Sequence, residues 1–275
     1  MAREVADEQP MAEAQRGTMI AEKDGAIGWI TFNNPARRNA VSLAMWQALG
    51  RIVGEFEADG AIRVIVLKGA GDKAFVSGAD ISEFGEKRSS PETIRIYNGA
   101  SEEATEALKH AGKPTMAMVR GFCIGGGVSV AMSCDMRIAA VGSRFGVPAA
   151  RLGLGYEFKG VRKLVDVVGP SFAKEIFFTA RQFTAEEALA MGLINRLLPE
   201  GELETFVRGY AQTIADNAPM TVASIKTIVD EVMKDEAQRD MALCRQVVDR
   251  CFNSADYVEG RTAFMEKRKP VFTGR

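Results

Sequence analysis

The chain has 275 residues, 47% of them hydrophobic and 26% charged, which is enough to bury a sizeable core and typical of a globular protein. Lys+Arg 35 against Asp+Glu 36 gives a net charge of -1, which argues against nucleic acid as a partner but leaves room for a local basic patch. No apolar run approaches a membrane span, so no membrane insertion is expected. Four cysteines without a Cys-x-x-Cys pair, beside the lone His110, argue against a zinc site and against histidine-dependent triads.

Met1 to Arg16 lack the basic start and apolar centre of a secretory signal, and residues 1–17 read as a loosely ordered tail. With cysteines that read as small buried apolar groups, the expectation is a cytoplasmic protein. Ile20 to Phe32 alternates around Asp24-Gly25, which predicts a hairpin with Gly25 in the turn and Ile27 and Trp29 partly buried. Asn33-Asn34-Pro35 stops the second strand. Ser42 then caps a helix that places Leu43, Trp46, Leu49, Ile52, Val53 and Phe56 on one face, and Asp59-Gly60 ends it. Arg63 to Gly69 reads as a strand, so the three elements predict a βα unit.

Lys73 to Asp80 closes in a small-residue turn, Ser77-Gly78-Ala79-Asp80. Ile81 to Lys87 and Pro91 to Gly112 carry helical patterns around Ser89-Ser90, a break that suits a lid or a solvated loop. His110 reads as a surface or capping residue. The apolar strand Pro114 to Val119 leads into Gly121, then into the triple Gly125-Gly126-Gly127 and a buried helix up to Asp135. A helix N-terminus presents unpaired N–H groups, and bare glycines let a ligand approach them. The stretch therefore reads either as a holder for an oxygen carrying negative charge or as glycines that only let the helix pack tightly.

Met136 to Ala140 reads as a strand, and Ser143 to Gly146 as its continuation or a turn. Val161 to Val168 is a helix ended by Gly169-Pro170, and Phe172 to Phe178 is helical. Thr184-Ala185-Glu186-Glu187 is a capping-box pattern, and Gly192 to Leu198 a short extended return. Leu203 to Ala215, Val222 to Met233 and Ala237 to Phe252 read as long helices, and Glu259 to Lys269 as a basic one. Mixed elements early and helices late predict a layered α/β core with a helical part able to pack over a neighbour.

Several blocks together resemble the crotonase family, the enoyl-CoA hydratase/isomerase superfamily, from about Ile20 to Phe272. They are Phe75-Val76-Ser77-Gly78-Ala79-Asp80-Ile81; Met118 to Gly121 with the triple glycine and Cys134-Asp135; Arg181 to Ala188 with Met191-Gly192-Leu193-Ile194; and the tail Ala263 to Pro270. The resemblance implies an α/β fold of the crotonase type, a ββα superhelix with a spiral core. It implies a core with a CoA-binding pocket over residues 18–205 and a helical trimerisation region over 206–275, assembled as a homotrimer or dimer of trimers. It also implies an acyl-CoA thioester substrate, with coenzyme A part of that substrate and no metal, flavin or nicotinamide. By position, the backbone N–H groups of Ala79 and Gly126 match the two donors that hold the thioester enolate. Ala36, Arg37, Arg38 and Ala79 match the coenzyme A loop, and Phe264 and Lys267 match tail residues that reach coenzyme A from an adjacent subunit.

The hydratases of that family carry two glutamates, at positions held here by Ser129 and Ala149. Neither is a strong acid or base. Glu157 instead matches the carboxylate of the double-bond isomerases, with Leu154, Tyr156 and Phe158 around it to exclude water and raise its pKa; as a bare residue it reads as a helix start. Asp80 and Asp135 are expected to hold turns, Glu83 and Glu86 lie on the variable helix, and Tyr97 either supplies a hydroxyl or packs. The leading expectation is an enoyl-CoA isomerase acting through Glu157. The alternatives are hydration, thioester hydrolysis or decarboxylation on the same scaffold, and a silent acyl-CoA-binding protein.

Overall fold

The computed structural model describes residues 17–80 and 90–275, so the expectations for the tail, for Ile81 to Lys87 and for Glu83 and Glu86 lie outside the described residues. Strands β1 (Thr18–Asp24) and β2 (Ile27–Asn33) form the expected antiparallel hairpin, with Gly25 at φ 58 in its turn. Helix α1 (Leu43–Ala58) starts where Ser42 accepts the Met45 N–H at 3.2 Å, and its apolar face is buried. Strand β3 (Val64–Gly69) returns parallel to β2, which completes the βα unit.

From β3 onward the chain alternates between two sheets. Strands β4 (Ala74–Val76), β6 (Phe122–Ile124), β8 (Arg144–Gly146) and β9 (Phe183–Thr184) form a four-stranded sheet. Strands β5 (Thr115–Val119), β7 (Met136–Ala140) and β10 (Arg196–Leu198) join the first three in a six-stranded sheet of order β1-β2-β3-β5-β7-β10. Ser143 to Gly146 is thus a turn followed by a strand of the other sheet. The step from β5 to β6 depends on Gly121. Its φ is 68, and a Cβ there would stand 2.1 Å from Lys73 O.

Between these strands run α2 (Pro91–Lys109), α3 (Gly126–Ser133), α4 (Phe158–Thr179) and α5 (Ala185–Ala190). Helices α6 (Leu203–Ala215), α7 (Pro219–Val232), α8 (Met241–Phe252) and α9 (Ala255–Glu266) follow. The central strands β2, β3, β5 and β7 of the large sheet are buried on both faces, whereas the edge strand β1 is exposed. Ile30, Phe32, Ile65, Leu67 and Ala117 face the interior with α1, while Trp29, Val64, Val66, Met116 and Ile138 face the Leu203–Val207–Ala211 stripe of α6. No helix among the described residues is long and apolar enough to cross a membrane.

The two helices predicted on either side of Gly169-Pro170 are present: α4 is broken at Gly169, whose φ 74 and ψ 168 are not helical. Three expectations change in detail. The helix predicted from Ala237 starts later, because Glu236–Gln238 forms a 3₁₀ turn and Asp240 then accepts the Leu243 N–H at 2.8 Å. The last helix starts earlier, at Ala255, where Ser254 caps the Tyr257 N–H at 3.1 Å, and it ends at Lys267 in the left-handed region. Cys123 and Cys134 are buried, and burial pushes both thiols up, Cys134 to about 12, whereas Cys244 and Cys251 are only half-buried.

Candidate active site

Two small-residue turns meet, with a Cβ on Gly126 in contact range of Gly78. The first follows β4. Val41 pairs with Ala79 as an isolated parallel bridge: the Val41 N–H donates to Gly78 O at 2.9 Å, and the Asp80 N–H donates to Val41 O at 3.0 Å. Val41 thereby holds the peptide units on both sides of Ala79. In a parallel bridge of this kind the N–H of the central residue faces away from its partner. The Ala79 N–H donates to no acceptor among the described residues.

The second turn follows β6. Gly125 sits at φ 55 and ψ -112, a conformation for glycine, and its N–H donates to Gly146 O at 2.8 Å. Gly126 is the first residue of α3, so its N–H has no partner within the helix. A Cβ on Gly126 would meet Gly78 Cα and C at 3.8 Å and Trp46 Cζ2 at 3.5 Å, which is ordinary contact. A Cβ on Gly127 would stand 2.2 Å from Val76 O. The triple glycine therefore divides its work: Gly125 for the backbone, Gly127 for packing, and Gly126 for neither. The expectation of tight packing is met at Gly127. The outcome is two outward N–H donors, those of Ala79 and Gly126, on adjoining backbone next to a helix N-terminus.

The loop that carries Ala36, Arg37 and Arg38 lies against the first turn. Ser77 N–H donates to Arg38 O at 3.1 Å, and Ser77 Oγ donates to Arg37 O at 3.2 Å. Asn39, fully buried at φ 56, pins the loop: its amide donates to Ala70 O and Ala74 O at 2.9 and 2.7 Å and accepts the Asn34 N–H at 3.0 Å. Arg37 donates to both carboxylate oxygens of Asp80 at 2.9 and 3.0 Å, and its side chain remains 42% exposed. Asp80, expected to hold its turn, anchors Arg37. Arg38 lies over the Phe122 ring, 5.0 Å from its centroid. Asp135 holds its turn as expected, accepting from Thr115 N–H at 2.7 Å and from Lys226 at 2.8 Å.

Glu157 occupies the N-cap position of α4, where its side chain makes no capping bond and is exposed. Leu154, Tyr156 and Phe158 are 53%, 38% and 76% exposed, so within the single chain they do not exclude water from it as expected. Tyr156 turns instead onto Phe177, ring to ring at 4.9 Å. Two ion pairs fasten the first turns of α4 to α2: Lys159 with Glu102, and Lys163 with Glu106 at 3.0 Å. Lys163 also reaches Ser133 Oγ on α3 at 3.4 Å. His110 caps α2, its ring 3.1 Å from Glu106. Ser129 is half-buried on α3 and Ala149 is buried in the 3₁₀ turn Ala149–Leu152. Phe264, 85% exposed, and Lys267 lie at the end of α9, which packs on α8, so the single chain does not bring them to the Ala79–Gly126 pair.

Sequence reasoning passed over Trp46 and Asn39 as parts of the site. Trp46 reads simply as one member of an apolar helix face. The Asn39 side chain follows Arg38 in a polar loop, where nothing marks it as buried.

The family model described as Enoyl-CoA hydratase/isomerase matches residues 22–275. The short-chain-enoyl-CoA hydratase of Clostridium acetobutylicum is 36% identical over 253 residues, covering 91% of this chain and 95% of that protein. The crotonyl-CoA hydratase of Syntrophomonas wolfei is 34% identical over 257 residues, covering 94% and 98%. Among solved structures, an enoyl-CoA hydratase/carnithine racemase from Magnetospirillum magneticum superposes with a TM-score of 0.90 at 34% identity, over 94% of this chain and 96% of that one.

Proposed function

The chain belongs to the enoyl-CoA hydratase/isomerase family and has its crotonase-type fold, and from that premise we propose that it adds water reversibly to an enoyl-CoA thioester. The observation that carries the reading is the pair of outward N–H groups, on Ala79 and Gly126, set side by side on rigid backbone. Such a pair stabilises the negative charge that develops on a thioester oxygen when the conjugated double bond is attacked. The named relatives, both hydratases, support water as the attacking group. Glu157 takes a proton from water as the oxygen bonds to C3. The C2–C3 π electrons move to form the enolate held by the two donors, and Glu157 returns its proton to C2.

A second reading rests on one specific observation. Ser129 and Ala149 leave Glu157 as the single carboxylate proposed for proton transfer. One carboxylate suffices to take a proton from C2 of a 3-enoyl thioester and return it to C4, which shifts the double bond. In either case coenzyme A enters with the substrate, and Ala36, Arg37 and Arg38 stand on the loop bound to Ser77, beside the donors. Exposed Val229, Val232, Phe252, Val258 and Phe264 on the last three helices support assembly as a trimer or dimer of trimers, in which Phe264 and Lys267 of a neighbour reach the coenzyme.

Incubation with crotonyl-CoA and with 3-hexenoyl-CoA in deuterated water, followed by mass spectrometry, tests these readings. A 3-hydroxyacyl product from crotonyl-CoA supports hydration. A 2-enoyl product from the 3-enoyl ester without hydroxyacyl-CoA supports the isomerase. Glu157→Gln lowers whichever turnover is found by about 10²–10⁴-fold while the ester still binds. Full activity of that variant refutes the role of Glu157.

A further inference from the structure

Tyr97 and Trp46 form a buried hydrogen-bonded chain that ends on the backbone of the first donor turn. Both are almost fully buried, at 3% and 1% exposure. Trp46 Nε1–H donates to Tyr97 Oη at 2.9 Å, and Tyr97 O–H donates to Val41 O at 2.7 Å. Val41 O is also the acceptor of the Asp80 N–H, one side of the bridge that turns the Ala79 N–H outward. The same indole approaches the other turn, with Cζ2 3.5 Å from a Cβ built on Gly126. One two-residue unit from α1 and α2 therefore bonds to the support of the first N–H group and lies near the second.

We propose that Tyr97, held by Trp46, is a positioning residue for the oxyanion donors: its hydroxyl fixes the Val41 carbonyl and with it the direction of the Ala79 N–H. The proposal rests on the reading of Ala79 and Gly126 as enolate donors. The physical need is orientation. A donor acts on the developing charge only when its N–H is aimed at it beforehand, and a small displacement weakens it steeply. A hydrogen-bonded core polar group resists such displacement better than apolar packing, because breaking it leaves buried atoms unpaired.

The test is Tyr97→Phe, read by the carbonyl stretch of a bound, slowly turning-over cinnamoyl-CoA in difference infrared spectra, together with kcat and KM. In the unaltered protein the thioester carbonyl band moves to lower frequency on binding. In Tyr97→Phe the band returns toward its position in solution, and kcat falls about 10- to 100-fold with KM within about twofold. A Tyr97→Phe protein that binds the ester with the full band shift and full kcat overturns the proposal while leaving the donor reading intact. An unaltered protein that binds the ester with no band shift overturns the donor reading and the proposal with it. Should Tyr97→Phe not fold, 3-fluorotyrosine at position 97 keeps the ring and the hydroxyl while strengthening its donation. A band that then moves supports the proposal, and a band that does not move overturns it.

Discussion

Replacing Gly127 by alanine separates packing from chemistry in the triple glycine. A Cβ there would stand 2.2 Å from Val76 O and 3.0 Å from Val76 C, both backbone atoms of β4. Real Cβ atoms essentially never come within 3.0 Å of such an atom, so α3 and β4 must part by about 0.8 Å. No flexible side-chain end can move aside instead. Overpacking of this kind costs about 1–3 kcal/mol. The gain in helix propensity from glycine to alanine offsets about 1 kcal/mol of it. The net expectation is a loss centred on about 1 kcal/mol and reaching about 2 kcal/mol, or up to about 8 °C in melting temperature for a chain of this size. Because β4 runs into Ala79 and α3 begins at Gly126, the same displacement misaims both donors, and kcat falls about 10- to 100-fold. The control is Gly126→Ala, where the nearest atom is Trp46 Cζ2 at 3.5 Å and stability stays within about 0.5 kcal/mol. Urea unfolding of the two variants, run beside a turnover assay, decides the matter. Gly127→Ala as stable as the unaltered chain, or Gly126→Ala as unstable as Gly127→Ala, refutes the division of labour.

Asn39→Ala removes three hydrogen bonds, two of them buried, and leaves alanine in the left-handed region, so a loss of about 3 kcal/mol or more is expected in chemical denaturation; a loss under about 1 kcal/mol refutes the pinning of the loop. Glu157→Gln, by contrast, changes the melting temperature little, since the side chain is exposed and makes no cap; a large drop shows an unrecognised structural role. The C-terminal segment carries an acid-sensitive clasp. Arg268 and the Val271 N–H hold the Glu259 carboxyl down to about 2, from an ordinary 4.5. A lowered folded-state pKa gives stability that is present above pH 4.5 and lost as pH falls toward 2. Hydrogen exchange at Val271 should therefore speed up on acidification through that window, and Glu259→Gln should exchange fast at neutral pH. Equal exchange in the two proteins at neutral pH refutes the clasp.

Local order was legible from residues a few positions apart. Ser42 and Thr184 cap the helices they were expected to cap, and Gly25 turns the hairpin. The apolar spacing after Ser42 gives the buried face of α1, because a helical face repeats every three to four residues and needs no distant partner. The turns around Ala79 and Gly126 were readable in the same way, since small-residue turns announce themselves in composition, and the family was readable from the resemblance of the blocks that contain them. The break at Gly169-Pro170 was visible too, and the backbone leaves the helical region there.

What only the tertiary structure decided are pairings across long separations. Arg37 meets Asp80 because two strands and a helix lie between them and return to the same edge. Tyr97 reaches Val41, and Trp46 reaches Tyr97, only once α1 and α2 pack together. Which of three identical glycines is pressed against backbone and which has room for a side-chain carbon depends on where β4 runs, a strand some fifty residues earlier. The exposure of Glu157 likewise follows from how α4 sits on α2, not from its apolar neighbours in sequence. Periodicity and capping are short-range and are written in the chain itself. The direction of an N–H and the dryness of a carboxylate are set by the packing of elements that the chain brings together only by folding.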